Sequence, residues 1–172
     1  MQVYILKESN SDSRVAASPD TVKKMKDWGL NVVIQDNAGL NSNFSNEEYI
    51  KSGATISNEI TDISKSDMIL KINKPNDDEI ALMSEGSVLI ASLDPYNNIE
   101  TLNKLKDKGV TSFAMELMPR ITRAQSMDIL SSQSNLAGYK AVIDATYLFN
   151  KAMPMMMTAA GTIAPAKVMV FG

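Results

Sequence analysis

Short apolar runs alternate with amphipathic segments along most of the chain. Residues 2–7, 31–35, 67–72, 87–92 and 110–115 read as buried strands, with a shorter strand at 54–56. The segments between them carry helix signals. Ser18-Pro19-Asp20 sets a capping serine, a proline at the first helical position and an acid near the positive end of the dipole. Val22, Met25 and Trp28 follow at helical spacing, and Gly29 ends that helix. Ser45 with Glu48 is a capping box, and Gly53 stops the short helix that it starts. Further short helices are expected at 59–65, 79–83 and 99–108, the last closed by Gly109. The alternation predicts an α/β fold: a doubly wound, mostly parallel sheet of flavodoxin or Rossmann type.

A different organisation follows. Leu136, Val142, Ile143, Ala145, Leu148 and Phe149 recur at helical spacing, which predicts one long helix within 134–152. A helix of that length after an α/β unit is expected to bridge to another domain. Residues 158–165 read as a loop, and 166–172 as a buried strand running into Gly172. An apolar strand that ends in glycine is how a dinucleotide-binding G-x-G-x-x-G turn begins. A terminal edge strand that happens to end in glycine fits the pattern as well. The expected organisation is an α/β domain over 1–130, a bridging helix and loop over 131–165, and the start of a truncated Rossmann domain over 166–172.

Polar chemistry concentrates at Pro119-Arg120-Ile121-Thr122-Arg123-Ala124-Gln125-Ser126-Met127-Asp128. This stretch follows the last strand of the set, and open α/β sheets place ligand sites beyond the C-terminal ends of their strands. Two arginines, an amide, hydroxyls and a carboxylate fall within it. The alternative is a solvated loop that caps the next helix.

Composition narrows the chemistry. A net charge of -3 leaves no basic footprint for nucleic acid. No apolar run reaches the roughly 20 residues of a bilayer span, and the N-terminus is not expected to be a secretory signal. Cysteine and histidine are both absent. That removes thiolate and imidazole ligands, and no Asp/Glu cluster has the spacing of an oxygen-ligated metal site. It also removes the commonest general base, so any reaction served here should need little proton transfer from this chain. No catalytic residue is expected within it.

Three segments carry a resemblance: Pro119 through Asp128, Asn135-Leu136-Ala137-Gly138-Tyr139-Lys140-Ala141, and Thr158-Ala159-Ala160-Gly161 with Pro165-Ala166-Lys167-Val168-Met169-Val170. Together with Lys7-Glu8, Arg14-Val15-Ala16, Ala38-Gly39 and Lys71-Ile72-Asn73, they resemble the N-terminal region of the NAD-binding alpha subunit of proton-translocating NAD(P) transhydrogenase. That family belongs to a superfamily with alanine dehydrogenase. The resemblance implies that Arg120, Gln125, Asp128 and Ser131 hold the nicotinamide end of NAD(H) with its ribose or phosphates. Ile121, Thr122 and Arg123 would flank them. The residue types suit this, since an amide can bond a carboxamide through both its C=O and NH2, and a guanidinium can pair with phosphate or with Asp128.

It also implies partners: a remaining alpha-subunit segment, and a beta subunit with the membrane segments and the NADP(H) domain. A homodimer is expected, cytoplasmic and peripheral to the inner membrane through those subunits. Without the glycine-rich pyrophosphate site, the chain alone should bind NAD weakly or not at all and be inactive. Arg14 and Lys71 sit where alanine dehydrogenase places substrate-binding residues, which allows an amino-acid substrate domain as the rival reading. An ion pair or a capping contact is the structural alternative for both residues. A third reading is a non-catalytic truncated α/β module.

Overall fold

The computed structural model describes residues 1–9 and 11–171. It divides into two compact units, Met1–Arg120 and Ile121–Gly172.

The first unit is built on six parallel strands: β1 (Gln2–Ile5), β2 (Asn31–Gln35), β3 (Thr55–Ser57), β4 (Met68–Leu70), β5 (Val88–Ala91) and β6 (Thr111–Ala114). Their order across the sheet is β3-β2-β1-β4-β5-β6. Register is regular, with Val3 beside Val32 on one side and beside Met68 on the other. Successive side chains of a strand point to opposite faces. Val3 and Ile5 accordingly pack with Val22, Ile34 and Tyr49, while Tyr4 and Leu6 pack with Ile69, Ile80, Leu89 and Leu105. Helices α1 (Pro19–Asp27) and α2 (Asn46–Lys51) therefore cover one face. α3 (Asp77–Leu82) and α4 (Ile99–Asp107) cover the other. The doubly wound expectation is met.

Local signals act where the sequence places them. The Ser18 Oγ accepts the Thr21 N–H at 3.3 Å. Both halves of the Ser45–Glu48 capping box form. Gly39 has a packing role, because a Cβ there would lie 2.6 Å from the Tyr49 ring, whose hydroxyl donates to the Ala17 carbonyl at 2.8 Å.

The second unit opens with a 3-10 turn over Thr122–Met127 and continues as α5 (Ile129–Leu148). The expected loop at 158–165 is replaced in part by an antiparallel hairpin, β7 (Met156–Thr158) with β8 (Gly161–Ile163). The strand expected over 166–172 does not form: residues 164–171 carry no regular structure, and Gly172, the candidate first glycine of a dinucleotide turn, lies outside the described residues. A strand exists only through bonds to a neighbour, and among the described residues no strand of either sheet pairs with this segment. Among the described residues, no helix is long and apolar enough to cross a membrane.

Candidate functional site

The sheet order reverses direction between β1 and β4, and the loops leaving these two strands part to form the crevice where such folds bind ligands. The chain's own Glu8 occupies this crevice. Its buried carboxylate accepts the Ile72 N–H at 2.6 Å, the Asn73 N–H at 3.3 Å and the Asn73 Nδ2 at 2.9 Å. Asn73 Nδ2 also donates to Asp12 at 2.8 Å. Arg14 grips Asp12 through Nε at 2.9 Å and Nη2 at 2.6 Å. The Arg14 hydrogen bond outweighs partial burial and holds the Asp12 carboxyl well below the usual carboxylate range.

Lys71 is engaged as fully. Its Nζ lies 2.7 and 2.6 Å from the two carboxylate oxygens of Glu79, and both side chains are buried. Glu79 also belongs to a capping box, accepting the Asn76 N–H at 2.8 Å while Asn76 Oδ1 accepts the Glu79 N–H at 2.8 Å. The ion-pair alternative for Arg14 and Lys71 is what the structure contains. The Asn76–Glu79 box was legible as Asn-x-x-Glu ahead of an apolar pair, and sequence reasoning missed it.

Beside the crevice, a cavity of about 520 Å3 lies beyond the ends of β4, β5 and β6, with Asn73, Lys74, Ser92, Leu93, Asn98 and Glu116 in its wall. A wider cavity of about 700 Å3, lined by Ser64, Met83 and Lys108 among others, lies at the opposite edge of the sheet. Volume alone would select the wider one. The strand direction favours the former, because side chains from several crossovers converge only at the C-terminal edge.

The residues singled out for cofactor binding fall at the division between the units. Arg120 closes the first unit and is exposed. Ile121 is exposed and precedes the 3-10 turn in which Thr122, Arg123 and Gln125 are exposed and Ala124 is buried. Asp128 and Ser131 are brought together. Asp128 caps α5, its Oδ1 accepting the Leu130 and Ser131 N–H groups at 2.9 and 3.1 Å, and its Oδ2 accepting the Ser131 hydroxyl at 2.8 Å. The helix-capping alternative thus holds for Asp128, and it is why α5 starts at Ile129 rather than Ser131. Nothing in the sequence singled out Glu116, whose Oε1 accepts the Leu93 N–H at 2.8 Å and also the Asp94 N–H.

A six-stranded parallel sheet wound on both faces, with its polar groups gathered at the C-terminal edge, defines a nucleotide-type α/β domain. Residues 4–137 match the family model described as alanine dehydrogenase/PNT, N-terminal domain, and the chain belongs to that family. Over its whole length it is 46% identical to a Rhodospirillum rubrum protein, the first of the pieces that make up NAD(P) transhydrogenase subunit alpha, and it covers 47% of that protein. The transhydrogenase crystal structure from Sinorhizobium meliloti superposes with a TM-score of 0.93 at 51% identity, over 96% of this chain and 50% of that one. An L-alanine dehydrogenase structure superposes with a TM-score of 0.78 at 26% identity, over 86% of this chain and 40% of that one. The expected resemblance is borne out, and the chain spans about half the length of these relatives.

Proposed function

We propose that this chain supplies the nicotinamide-capping portion of a proton-translocating NAD(P) transhydrogenase. Hydride would pass between NAD(H), held partly by this chain, and NADP(H), held on a partner domain. The observation that carries the reading is the placement of Arg120 through Ser131 inside the family match and after the last strand of the sheet. The donor set fits the ligand. Arg120 and Arg123 are exposed guanidinium groups suited to phosphate, and the Gln125 amide suits a carboxamide. Asp128 holds the Ser131 hydroxyl in one orientation rather than acting as an acid or base. Ile121 and Thr122 would flank the ring and help to exclude water. Hydride exchange between two nicotinamides takes no proton from the protein, which suits a chain without histidine.

On this reading residues 131–165 bridge to a second, dinucleotide-binding domain, and 166–172 lead into it. The partners are the rest of the alpha subunit, a beta subunit carrying the membrane segments and the NADP(H) domain, and a second copy of the chain. The complex would sit at the cytoplasmic side of the inner membrane. The rival amino-acid substrate domain is less well supported, because Arg14 is committed to Asp12 and Lys71 to Glu79, and no histidine exists to protonate a substrate.

The test is a chimera in which this chain replaces the matching half of the Rhodospirillum rubrum subunit. Arg120→Ala and Gln125→Ala should each lower transhydrogenation at limiting NADH by about tenfold or more, the size expected when a charged or bidentate contact is lost. Unaltered turnover in both variants would remove the reading. NADH oxidation that depends on pyruvate and ammonium would replace it with the amino-acid alternative.

A further inference from the structure

Three strand ends are tied together by one run of polar contacts. Lys74, beyond β4, donates its Nζ to Asn98 Oδ1. Asn98 Nδ2 donates to the Leu93 and Asp94 carbonyls at 3.2 and 3.0 Å, beyond β5. The N–H groups of the same two residues point the other way, onto Glu116 Oε1, beyond β6. The turn is therefore held on both edges. Asp94 lies in the left-handed region at φ 45, which a non-glycine residue adopts only where its surroundings enforce it. Asn97 Nδ2 adds to the enforcement by donating to both Asp94 carboxylate oxygens at 3.0 Å. Glu116 Oε2 is buried and has no hydrogen-bond partner among the described residues. A side chain kept for stability alone would not leave a carboxylate oxygen sealed in this way, so its placement points to function.

Glu116 stands four residues before Arg120, and the connection between them is stiff. Residues Met115–Leu117 form a 3-10 turn, closed by the Met118 N–H on the Met115 carbonyl at 3.2 Å. Pro119 then fixes its own φ and keeps Met118 extended, at φ -55 and ψ 125. Few soft torsions remain by which Arg120 could lose the direction set at Glu116.

We propose that Glu116 is a positioning residue for the cofactor site: by clamping the Leu93–Asp94 turn to the end of β6, it sets the direction in which Arg120 is presented to NAD(H). This rests on the reading of Arg120 as a cofactor contact. Glu116 touches no reacting atom. It acts through Arg120, so its loss should weaken NAD(H) binding and leave the chemical step and the NADP(H) side alone.

The experiment uses the chimera described above and the isolated chain. In the chimera, Glu116→Ala should raise the KM for NAD(H) about tenfold, with kcat and the KM for NADP(H) within twofold. Glu116→Gln, which keeps an oxygen for both N–H groups, should restore most of the loss. In an Arg120→Ala background, Glu116→Ala should add less than twofold, because residues that act as one unit are not additive. Independent, multiplicative losses would overturn the proposal, as would a Glu116→Gln variant no better than Glu116→Ala. In amide spectra of the isolated chain, Glu116→Ala should shift the Arg120 side-chain Nε–H and the backbone signals of Leu93 and Asp94. An unmoved Arg120 signal would overturn the coupling even if Arg120 itself proves silent in the assay, and that silence alone would count against the cofactor reading instead.

Discussion

The two units of this chain spend the same kinds of residue differently. In Met1–Arg120, the strands and helices bury Tyr4, Leu6, Ile34, Ile69, Leu89 and Leu105 almost completely. Among the described residues of Ile121–Gly172, Ala124 is the buried hydrophobic residue, and α5 buries none of its side chains. Leu136, Tyr139, Val142 and Leu148 are more than half exposed along it. A helix that is apolar all round is ordinarily covered by a larger assembly. The contrast teaches that the first unit carries its own stability, while the second is shaped for surroundings that relatives of twice the length provide.

Breaking the buried ion pair should expose this asymmetry most strongly. Glu79→Ala strands the Lys71 ammonium in the interior of the first unit and removes the α3 cap with it. A loss of about 3–5 kcal/mol is expected in urea denaturation of the chain, the range for one deleted partner of a buried pair. An unchanged midpoint would mean that the pair is solvated and that the first unit is less self-sufficient than its burial indicates.

A smaller effect, again confined to the first unit, should appear in alkali. Burial pushes the Tyr49 hydroxyl up to about 12, and burial also raises Tyr4. A folded state that holds its protons more tightly than the unfolded chain keeps that stabilisation below the unfolded value of roughly 10 and loses it as pH rises through the folded one. Stability should therefore fall between about pH 10 and about pH 12. Tyr49→Phe should flatten most of that slope, leaving the share that belongs to Tyr4. A slope that persists undiminished in Tyr49→Phe would assign it elsewhere.

The smallest effect belongs to the second unit. Asp128→Ala removes the α5 cap, a loss of about 1 kcal/mol for the helix itself. With no buried face to couple that helix to a core, the change should register as faster amide exchange at Leu130 and Ser131 while the urea midpoint stays put. A shifted midpoint would show that α5 and the folded core melt together.

Legibility divides along similar lines. Ser18, Ser45 with Glu48, and the strand Asn31–Gln35 could be read directly, because a cap or a short apolar run is decided within a few residues. The 158–165 hairpin was missed, since its exposed strands lack the hydrophobic alternation that marks a half-buried pair. The 166–172 strand was expected for the opposite reason: its apolar composition promises burial that this chain does not supply. Of the candidate site, the stretch from Arg120 to Asp128 was visible as a concentration of chemistry. The capping role of Asp128 followed from its place before a helix. Glu116 carried no signal, because its partners lie more than twenty residues earlier, at Leu93 and Asp94.

By itself, the order of residues determined the elements, their caps, the winding of the domain, and the absence of any imidazole or thiol to do acid, base or metal chemistry. Only the tertiary structure decided that β1 lies beside β4, that Glu8 fills the crevice between them, and that Lys71 is held by Glu79. The reason is one of range. A cap is satisfied within its own turn, whereas a buried carboxylate takes whatever donor the folded sheet brings to it, here 64 residues away along the chain.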